Sequence, residues 1–241
     1  MSGHSKWHNI QARKGKQDAA RSGQFTKISK LIAIAAKNGG DPTTNFALRL
    51  AIEKAKRVGM PKDNIERAIK RGTGELAGDQ IEEALYECYG PGGVAVLVKC
   101  LTDNKNRTVS DLKHIFSDHG GSMAGAGSVQ WMFGQWGMAT VEKARLAEKN
   151  ISIEDFELAV AESGAEDVKI EEEIEVKSKI DNFQKVLAKI KEIGIEPKDS
   201  GLRWESKEKM SVDAEVEAKL RELFEELEEN DDVEDYFTNA E

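Results

Sequence analysis

The sequence predicts an α+β protein of several domains: an N-terminal three-helix bundle, then an α+β domain with a ferredoxin-like βαββαβ domain inserted in it. Three observations lead to this prediction. Apolar residues recur at three- and four-residue spacing through the first third, which is typical of amphipathic helices. Strand-like and helical segments alternate through the middle and then follow the ferredoxin-like order β-α-β-β-α-β. The segment of residues 76–134 lacks a second helix to cover its sheet, and the tail supplies a helix together with a strand. The expected domains are residues 1–75, residues 76–135 with 207–241, and residues 136–206.

The first third is predicted to hold three short helices, over residues 18–37, 45–58 and 61–71. Asn38-Gly39-Gly40 ends the first helix, because glycine adopts the left-handed conformation after a helix at little cost. Pro61 suits the first turn of the third helix, where its missing backbone N–H has no partner to lose. Short connections between amphipathic helices favour a compact bundle.

The segment that follows is predicted to form a sheet with one helix. Strands are expected over residues 81–89 and 94–101, and the second is so apolar that it should be the central strand. A helix is expected over residues 108–119, and a third strand over residues 129–133.

At Trp136 the pattern starts again and predicts the inserted domain. Its expected elements are a strand over residues 137–142, a helix over 152–162, strands over 167–170 and 174–177, a helix over 181–193 and a strand over 198–206. The tail is expected to return to the earlier sheet with an acidic amphipathic helix over residues 213–228 and an edge strand over residues 233–238.

Charge is distributed very unevenly along the chain. Residues 1–72 contain 16 Lys and Arg against 5 Asp and Glu, a formal charge of +11, whereas residues 73–241 contain 19 against 39, a formal charge of −20. A strongly basic segment of this length is the electrostatic footprint of nucleic-acid binding. The acidic remainder repels phosphate, so contact with nucleic acid is expected at the N-terminal end only.

Composition argues against several classes of protein. No apolar run approaches the roughly 18 residues needed to span a bilayer. The N-terminus lacks the apolar core of a secretory signal, so a cytoplasmic protein without a membrane partner is expected. Cys88 and Cys100 lie in strand-like sequence and are expected to be buried, reduced thiols.

The opening stretch, residues 3–14, is polar and basic, with Trp7 in its middle and no helical or strand period. Cations neutralise phosphates, and an aromatic ring among them can stack on unpaired bases. The alternative is that Trp7 pins this arm to the bundle. The residues expected to bind nucleic acid are Lys6, Trp7, Arg13, Lys14, Lys16, Lys27, Lys30, Arg49, Lys54, Lys56, Arg57, Lys70 and Arg71.

Signals of catalysis or of ligand binding are few. His4 and His8 have helical spacing but no third ligand, so no metal site is expected. Asn104 and Arg107 stand between a predicted strand and a predicted helix, where they could form an anion site or serve to cap the helix. No catalytic residue, cofactor or small-molecule substrate is predicted.

The sequence resembles the YebC/PmpR family, and the resemblance spans the whole chain. The matching motifs are long and peculiar to that family. They include Gly3-His4-Ser5-Lys6-Trp7, Met60-Pro61-Lys62-Asp63-Asn64-Ile65, Tyr89-Gly90-Pro91-Gly92-Gly93, and Thr102-Asp103-Asn104 with Asn106-Arg107-Thr108.

The resemblance implies the three-domain fold given above and a non-enzymatic, cytoplasmic protein that associates with nucleic acid. Some members are regarded as probable transcriptional regulators that bind DNA. Others, such as the mitochondrial translational activator of cytochrome c oxidase, are assigned to translation, acting on the ribosome to relieve stalling at proline-rich sequence. The leading hypothesis is thus a DNA-binding transcriptional regulatory protein, and its alternative is a ribosome- or RNA-associated translation factor.

Two further hypotheses come from other classes of protein. An enzyme would use the polar residues Asp103, Asn104 and Arg107 together with His119. A protein adaptor would work through the acidic helix over residues 213–228. Neither has a motif of its own, and no oligomeric state follows from the sequence.

Overall fold

The computed structural model describes residues 17–77 and 80–241, with side chains from residue 23 onward. The described residues divide into two compact units, one formed by residues 133–205 and the other by the described residues before 133 together with 206–241. The predicted three-domain boundaries stay predictions. In chain order the elements are α1 (Gln17–Ala36), α2 (Phe46–Arg57), α3 (Lys62–Gly72), β1 (Glu82–Tyr89), β2 (Ala95–Thr102), α4 (Lys105–Asp118), β3 (Ser122–Met123), β4 (Phe133–Glu142), α5 (Lys143–Glu148), α6 (Ile153–Glu162), β5 (Ala165–Ile170), β6 (Glu173–Ser178), α7 (Ile180–Glu192), β7 (Asp199–Ser206), α8 (Ala214–Glu229) and β8 (Val233–Thr238).

The first three helices form the predicted bundle, and each begins and ends within one residue of its predicted bounds. Ile32, Leu48 and Ala55 are fully buried at its centre. Gly72 lies where α3 meets α1, and a Cβ at this position would overlap the carbonyl oxygen of Ala33. The two helices can approach this closely only because residue 72 has no side chain.

The first sheet has the strand order β3-β1-β2-β8 and is antiparallel throughout. The structure confirms that β2 is a central strand and β8 an edge strand. Helices α4 and α8 pack on one face, where the rings of Phe224 and Tyr236 stack with centroids 4.5 Å apart. Helix α1 packs near β2 through a small cluster that includes Ala33 and Leu101. The tail thus completes this sheet, as its apolar helix face predicted.

The predicted strand over residues 129–133 is wrong. A short 3-10 helix, Gln130–Met132, stands there, and the third strand of the sheet is β3, where Met123 pairs with Cys88. The reason is that the carboxylate of Glu87 accepts hydrogen bonds from the backbone N–H groups of Val129 and Gln130, which therefore cannot join a ladder.

Two smaller differences concern helices. Helix α4 begins at Lys105, three residues earlier than predicted, because the side chain of Asn104 caps it. Helix α5 has no counterpart among the predicted elements, and it is only six residues long.

The unit of residues 133–205 has the strand order β5-β6-β4-β7. Its first and third strands are central and antiparallel to each other, which confirms the ferredoxin-like prediction. Phe156 of α6 and Ile190 of α7 are buried in its core. Gly137 of β4 lies against Phe183 of α7, whose ring a Cβ at residue 137 would overlap.

Two findings bear on the compositional expectations. Across the ranges that the structure describes, no helix is both long and apolar enough to cross a membrane. Cys88 and Cys100 are buried and free, as predicted. Burial raises the pKa of the Cys88 thiol to about 12, so this cysteine is not a reactive thiolate at neutral pH.

Candidate nucleic-acid interface

The predicted nucleic-acid-binding residues fall into three groups. Five belong to the arm and lie outside the described residues: Lys6, Trp7, Arg13, Lys14 and Lys16. Six lie on α2 and α3 and are exposed or partly exposed: Arg49, Lys54, Lys56, Arg57, Lys70 and Arg71. The remaining two, Lys27 and Lys30 of α1, are half-buried against residues 228–234, which we term the acidic segment.

The cations of α2 are exposed because the helical period turns the apolar residues, such as Ala55, toward the bundle core. Lys56 and Arg57 stand in its last turn, where positive charge also interacts favourably with the helix dipole. The guanidinium of Arg49 lies 5.5 Å from the centroid of the Phe46 ring, a distance at which the ring attracts the cation.

Helix α3 continues the exposed positive surface. Ala68 is buried, whereas Lys70 and Arg71 stand in the last turn with their side chains open to solvent. The set of binding residues predicted from the sequence omitted Arg67 and Lys62. Both are exposed on this helix, and the side chain of Lys62 is 87% exposed. The same apolar period that predicted Lys70 and Arg71 could have identified them.

Lys54 of α2 lies between the exposed cations and the acidic segment. Its ammonium is 3.7 Å from the carboxylate of Glu234, and 45% of its side chain is exposed. Glu234 is only 13% exposed, but the ammonium of Lys54 is 3.7 Å away and its side chain stays open to solvent, so this pair does not bar Lys54 from an external anion.

Lys27 and Lys30 bind the acidic segment. The ammonium of Lys27 donates to the backbone oxygen of Glu228 at 2.6 Å. That of Lys30 donates to the backbone oxygen of Asp231 at 2.9 Å and to the carboxylate of Asp232 at 2.6 Å. Burial lowers the pKa of Lys27, although the nearby charges of Asp231 and Glu228 act in the opposite direction. These two lysines attach α1 to the C-terminal part of the same unit.

Asp232 is the centre of these contacts and is itself buried. Besides Lys30, its carboxylate accepts hydrogen bonds from Arg107 at 2.9 Å, Thr108 at 2.9 Å and Thr102 at 3.1 Å. Burial alone would raise the pKa of Asp232, but the hydrogen bonds from Lys30, Arg107 and Thr108 outweigh it and lower this pKa. One carboxylate thus joins α1, β2, α4 and the acidic segment.

The predicted anion site, Asn104 and Arg107, lies at the start of α4. The side chain of Asn104 accepts the backbone N–H of Arg107 at 3.1 Å, which caps the helix. The guanidinium of Arg107 binds the carboxylates of Asp103, at 2.8 Å, and Asp232. This is the geometry of the capping alternative, with carboxylates of the protein itself around Arg107.

The structure does not assemble the four residues of the enzyme hypothesis. Asp103 and Arg107 are at the first end of α4, whereas His119 is at the other end of this 14-residue helix, roughly 20 Å away. The Nε2 atom of His119 lies 2.8 Å from the Glu226 carboxylate of α8. Within the described part of the chain, no group of three or more His, Cys, Asp or Glu side chains is placed to hold a metal ion.

Comparisons with known proteins agree with this architecture. The family model described as "TACO1/YebC protein N-terminal domain" matches residues 5–75, and that described as "TACO1/YebC second and third domain" matches residues 81–240. A protein of Maridesulfovibrio salexigens named "Probable transcriptional regulatory protein" is 50% identical, over 100% of this chain and 95% of its own. A protein of the same description from Thermoanaerobacter pseudethanolicus is 46% identical, over 100% of this chain and 97% of its own.

A solved structure is also similar. The crystal structure of a conserved hypothetical protein from Aquifex aeolicus has a TM-score of 0.86 and 38% identity, and the match covers 98% of this chain and 96% of that one. The chain belongs to the TACO1/YebC family.

Proposed function

We propose that this protein is a DNA-binding transcriptional regulatory protein of the type for which its relatives are named, and that it acts by binding rather than by catalysis, in the cytoplasm. The observation that carries the proposal is the exposed positive surface of α2 and α3. Arg49, Lys56 and Arg71 are exposed there, with Lys70 beside them, on a chain whose net charge is −9. Local concentration of cations on a protein of opposite net charge favours a polyanionic partner.

Ion pairs within the bundle do little to neutralise this surface. The pair between Lys62 and Glu66 of α3 spans 3.5 Å, and the two side chains are 87% and 53% exposed. A pair so exposed gains little, because water and salt screen both charges. A phosphate backbone that approaches α2 and α3 therefore meets solvated cations, whose counterions it displaces on binding.

The proposed contact surface consists of the exposed cations of α2 and α3 with the arm. The arm adds Lys6, Arg13, Lys14 and Lys16 for phosphates and Trp7 for stacking. Lys27 and Lys30 have a different role in this proposal: they hold α1 to the acidic segment and so orient the surface. The proposal assigns Asn104 and Arg107 to helix capping.

One observation favours the alternative of an RNA- or ribosome-associated translation factor. Asn and Gln side chains are the usual readers of adenine in the major groove, yet α2 contains neither, and α3 contains only Asn64, which is half-buried. A surface of this composition binds backbones with little preference for sequence, as many RNA-binding proteins do.

The test is a salt titration of the affinity for labelled duplex DNA and for single-stranded RNA, by fluorescence anisotropy. The plot of log K against log salt has a negative slope. In the variant Arg49→Gln/Lys70→Gln/Arg71→Gln, this slope should become less steep by about 1 for each phosphate that the substituted side chains no longer neutralise. The matched control replaces three exposed lysines outside the bundle: Lys113→Gln, Lys149→Gln and Lys185→Gln. Equal slopes and affinities for wild type and the bundle variant would refute the proposal.

Crosslinking in cells separates DNA from RNA. Sequencing of the nucleic acid bound to wild type, and to a variant with Lys6, Arg13 and Lys14 made neutral, should show enrichment at promoters if the protein regulates transcription. Enrichment of ribosomal RNA instead would establish the translation alternative.

A further inference from the structure

The loop between β3 and β4 presents an unusually exposed aromatic ring. Trp131 is 66% exposed, the largest fraction among the large apolar side chains that the structure describes. The other exposed residues of the loop, from Gly125 to Gln130, are polar or small, whereas Val129 is buried and Met132 half-buried. A tryptophan exposed to this degree has a large aromatic surface that is open to a partner.

The polar atom of this side chain is already satisfied within the loop. The indole Nε1–H of Trp131 donates to the backbone oxygen of Ser128 at 3.1 Å. What the ring offers a partner is therefore its π face and not a hydrogen bond. The ammonium of Lys207 donates to the backbone oxygen of Trp131 at 2.7 Å, so a cation is held at the main chain of this residue.

A buried carboxylate fixes the shape of the loop. Glu87 of β1 accepts backbone N–H groups from Gly127 at 2.5 Å, Val129 at 2.5 Å and Gln130 at 2.7 Å. Burial would raise the pKa of Glu87, but these backbone hydrogen bonds outweigh it and lower the pKa. The Glu87 carboxylate is therefore charged at neutral pH. The ring of Trp131 is thereby held in place before any partner arrives, which reduces the entropy lost on binding.

We propose that Trp131 is a stacking platform for an unpaired nucleobase, with Lys207 beside it for the adjoining phosphate. This inference rests on the proposed function, and it adds a second contact outside the basic bundle. An exposed aromatic face next to a cation is the arrangement by which proteins engage single-stranded nucleic acid. A protein partner is a poorer match. Large exposed apolar patches mark protein interfaces, and the exposed neighbours of Trp131 in the loop are two glycines, Ala126 and Gln130.

The experiment measures affinity for short single strands of DNA and RNA of one mixed sequence, and for the corresponding duplexes, by fluorescence anisotropy. The variants are Trp131→Ala, Trp131→Phe and, as a control, Leu158→Ala, which removes an apolar side chain of similar exposure (61%) in the other unit. Trp131→Ala should weaken binding to single strands about tenfold, as expected when one base no longer stacks on an aromatic ring. Trp131→Phe should retain most of the affinity, and Leu158→Ala all of it.

Two further readouts make the stacking role specific. Duplex affinity should not change in Trp131→Ala, because paired bases are already stacked on each other. Quenching of tryptophan emission by single strands should be smaller in Trp131→Phe than in wild type. The DNA and RNA arms show which strand is preferred, and either preference supports the inference.

Two outcomes would overturn the inference while leaving the proposed function intact. One is unchanged single-strand affinity in Trp131→Ala, while the bundle variant Arg49→Gln/Lys70→Gln/Arg71→Gln still binds weakly. The other is an equal loss of affinity for duplexes and for single strands in Trp131→Ala, which would indicate that Trp131 contacts the nucleic-acid backbone and not a base. If the bundle variant binds every nucleic acid as wild type does, the proposed function fails instead.

Discussion

Replacement of Asp232 by alanine should destabilise the unit that contains the bundle and the first sheet by about 3 kcal/mol. Removing one partner of a buried ion pair costs roughly 3–5 kcal/mol, because the other charge stays buried without compensation. After this substitution, the two cations that bind Asp232 would each keep another acceptor. Lys30 keeps its bond to the backbone oxygen of Asp231, and Arg107, 48% exposed, keeps Asp103. The expected loss of unfolding free energy is therefore at the lower end of that range. It includes the cost of leaving the hydroxyls of Thr102 and Thr108 without the carboxylate that accepts their hydrogen bonds.

Urea unfolding followed by hydrogen exchange measures this effect unit by unit. Faster exchange should appear in α1, β2 and β8, while residues 133–205 exchange as in wild type. The matched control is Asp231→Ala, because Lys30 donates to the backbone oxygen of Asp231, which alanine also provides. This control removes an exposed carboxylate whose charge acts on Lys27 through solvent, so it should change stability by less than about 1 kcal/mol. Equal effects of the two substitutions would refute the role given to the Asp232 carboxylate.

The same substitution should change how stability depends on pH. The pKa of Asp232 is lower in the folded protein than in the unfolded chain, where it is about 3.9. Its contribution is thus fully present above that value and is lost as the pH falls through the folded pKa. Acid should consequently destabilise Asp232→Ala less than it destabilises wild type, as urea midpoints taken at neutral pH and at a pH below about 3.9 would show.

Three further substitutions test the fold. Glu87→Gln should cost about 2–4 kcal/mol, because a neutral amide accepts fewer of the loop N–H groups and turns a donor toward them; unchanged proteolysis of the loop would contradict this. Gly72→Ala should cost about 1–3 kcal/mol, because its Cβ overlaps Ala33, and the loss should appear in the urea midpoint of the bundle's unit. Gly137→Ala should cost a similar amount by crowding Phe183, with faster hydrogen exchange confined to residues 133–205.

Local patterns predicted most of the elements, because an amphipathic period and a glycine stop act within one helix. They failed where a distant residue decides the backbone conformation. The segment Val129–Phe133 has the composition of a strand, but Glu87, some forty residues earlier in the chain, takes its N–H groups. A glutamate in the middle of a half-buried strand was the available signal, and it pointed to a buried partner without identifying one.

The candidate site shows the same limit. The helical period correctly placed Lys27 and Lys30 off the apolar core of the bundle. It could not show that this face meets the acidic segment, 201 residues or more further along the chain. Charge counting treats every lysine alike, whereas the structure distinguishes the lysines held against the acidic segment from those that stand on exposed helix faces.

The opposite charges of the two ends of the chain therefore do not act as two uniform charges. As uniform charges, a −20 body and a +11 segment would cancel only in part and leave −9, a field that salt screens beyond a Debye length. In the structure the cancellation is local, since Asp232 and its neighbours neutralise the cations on the inner side of α1 and at the start of α4. Arg49, Lys56, Lys70 and Arg71 of α2 and α3 remain exposed, whereas Lys54 of α2 lies 3.7 Å from Glu234 of β8. Acidic residues of the C-terminal segment therefore hold α1 in place and neutralise its inner cations, while cations of α2 and α3 stay exposed. Under the proposed function, these exposed cations are the ones that meet a phosphate backbone.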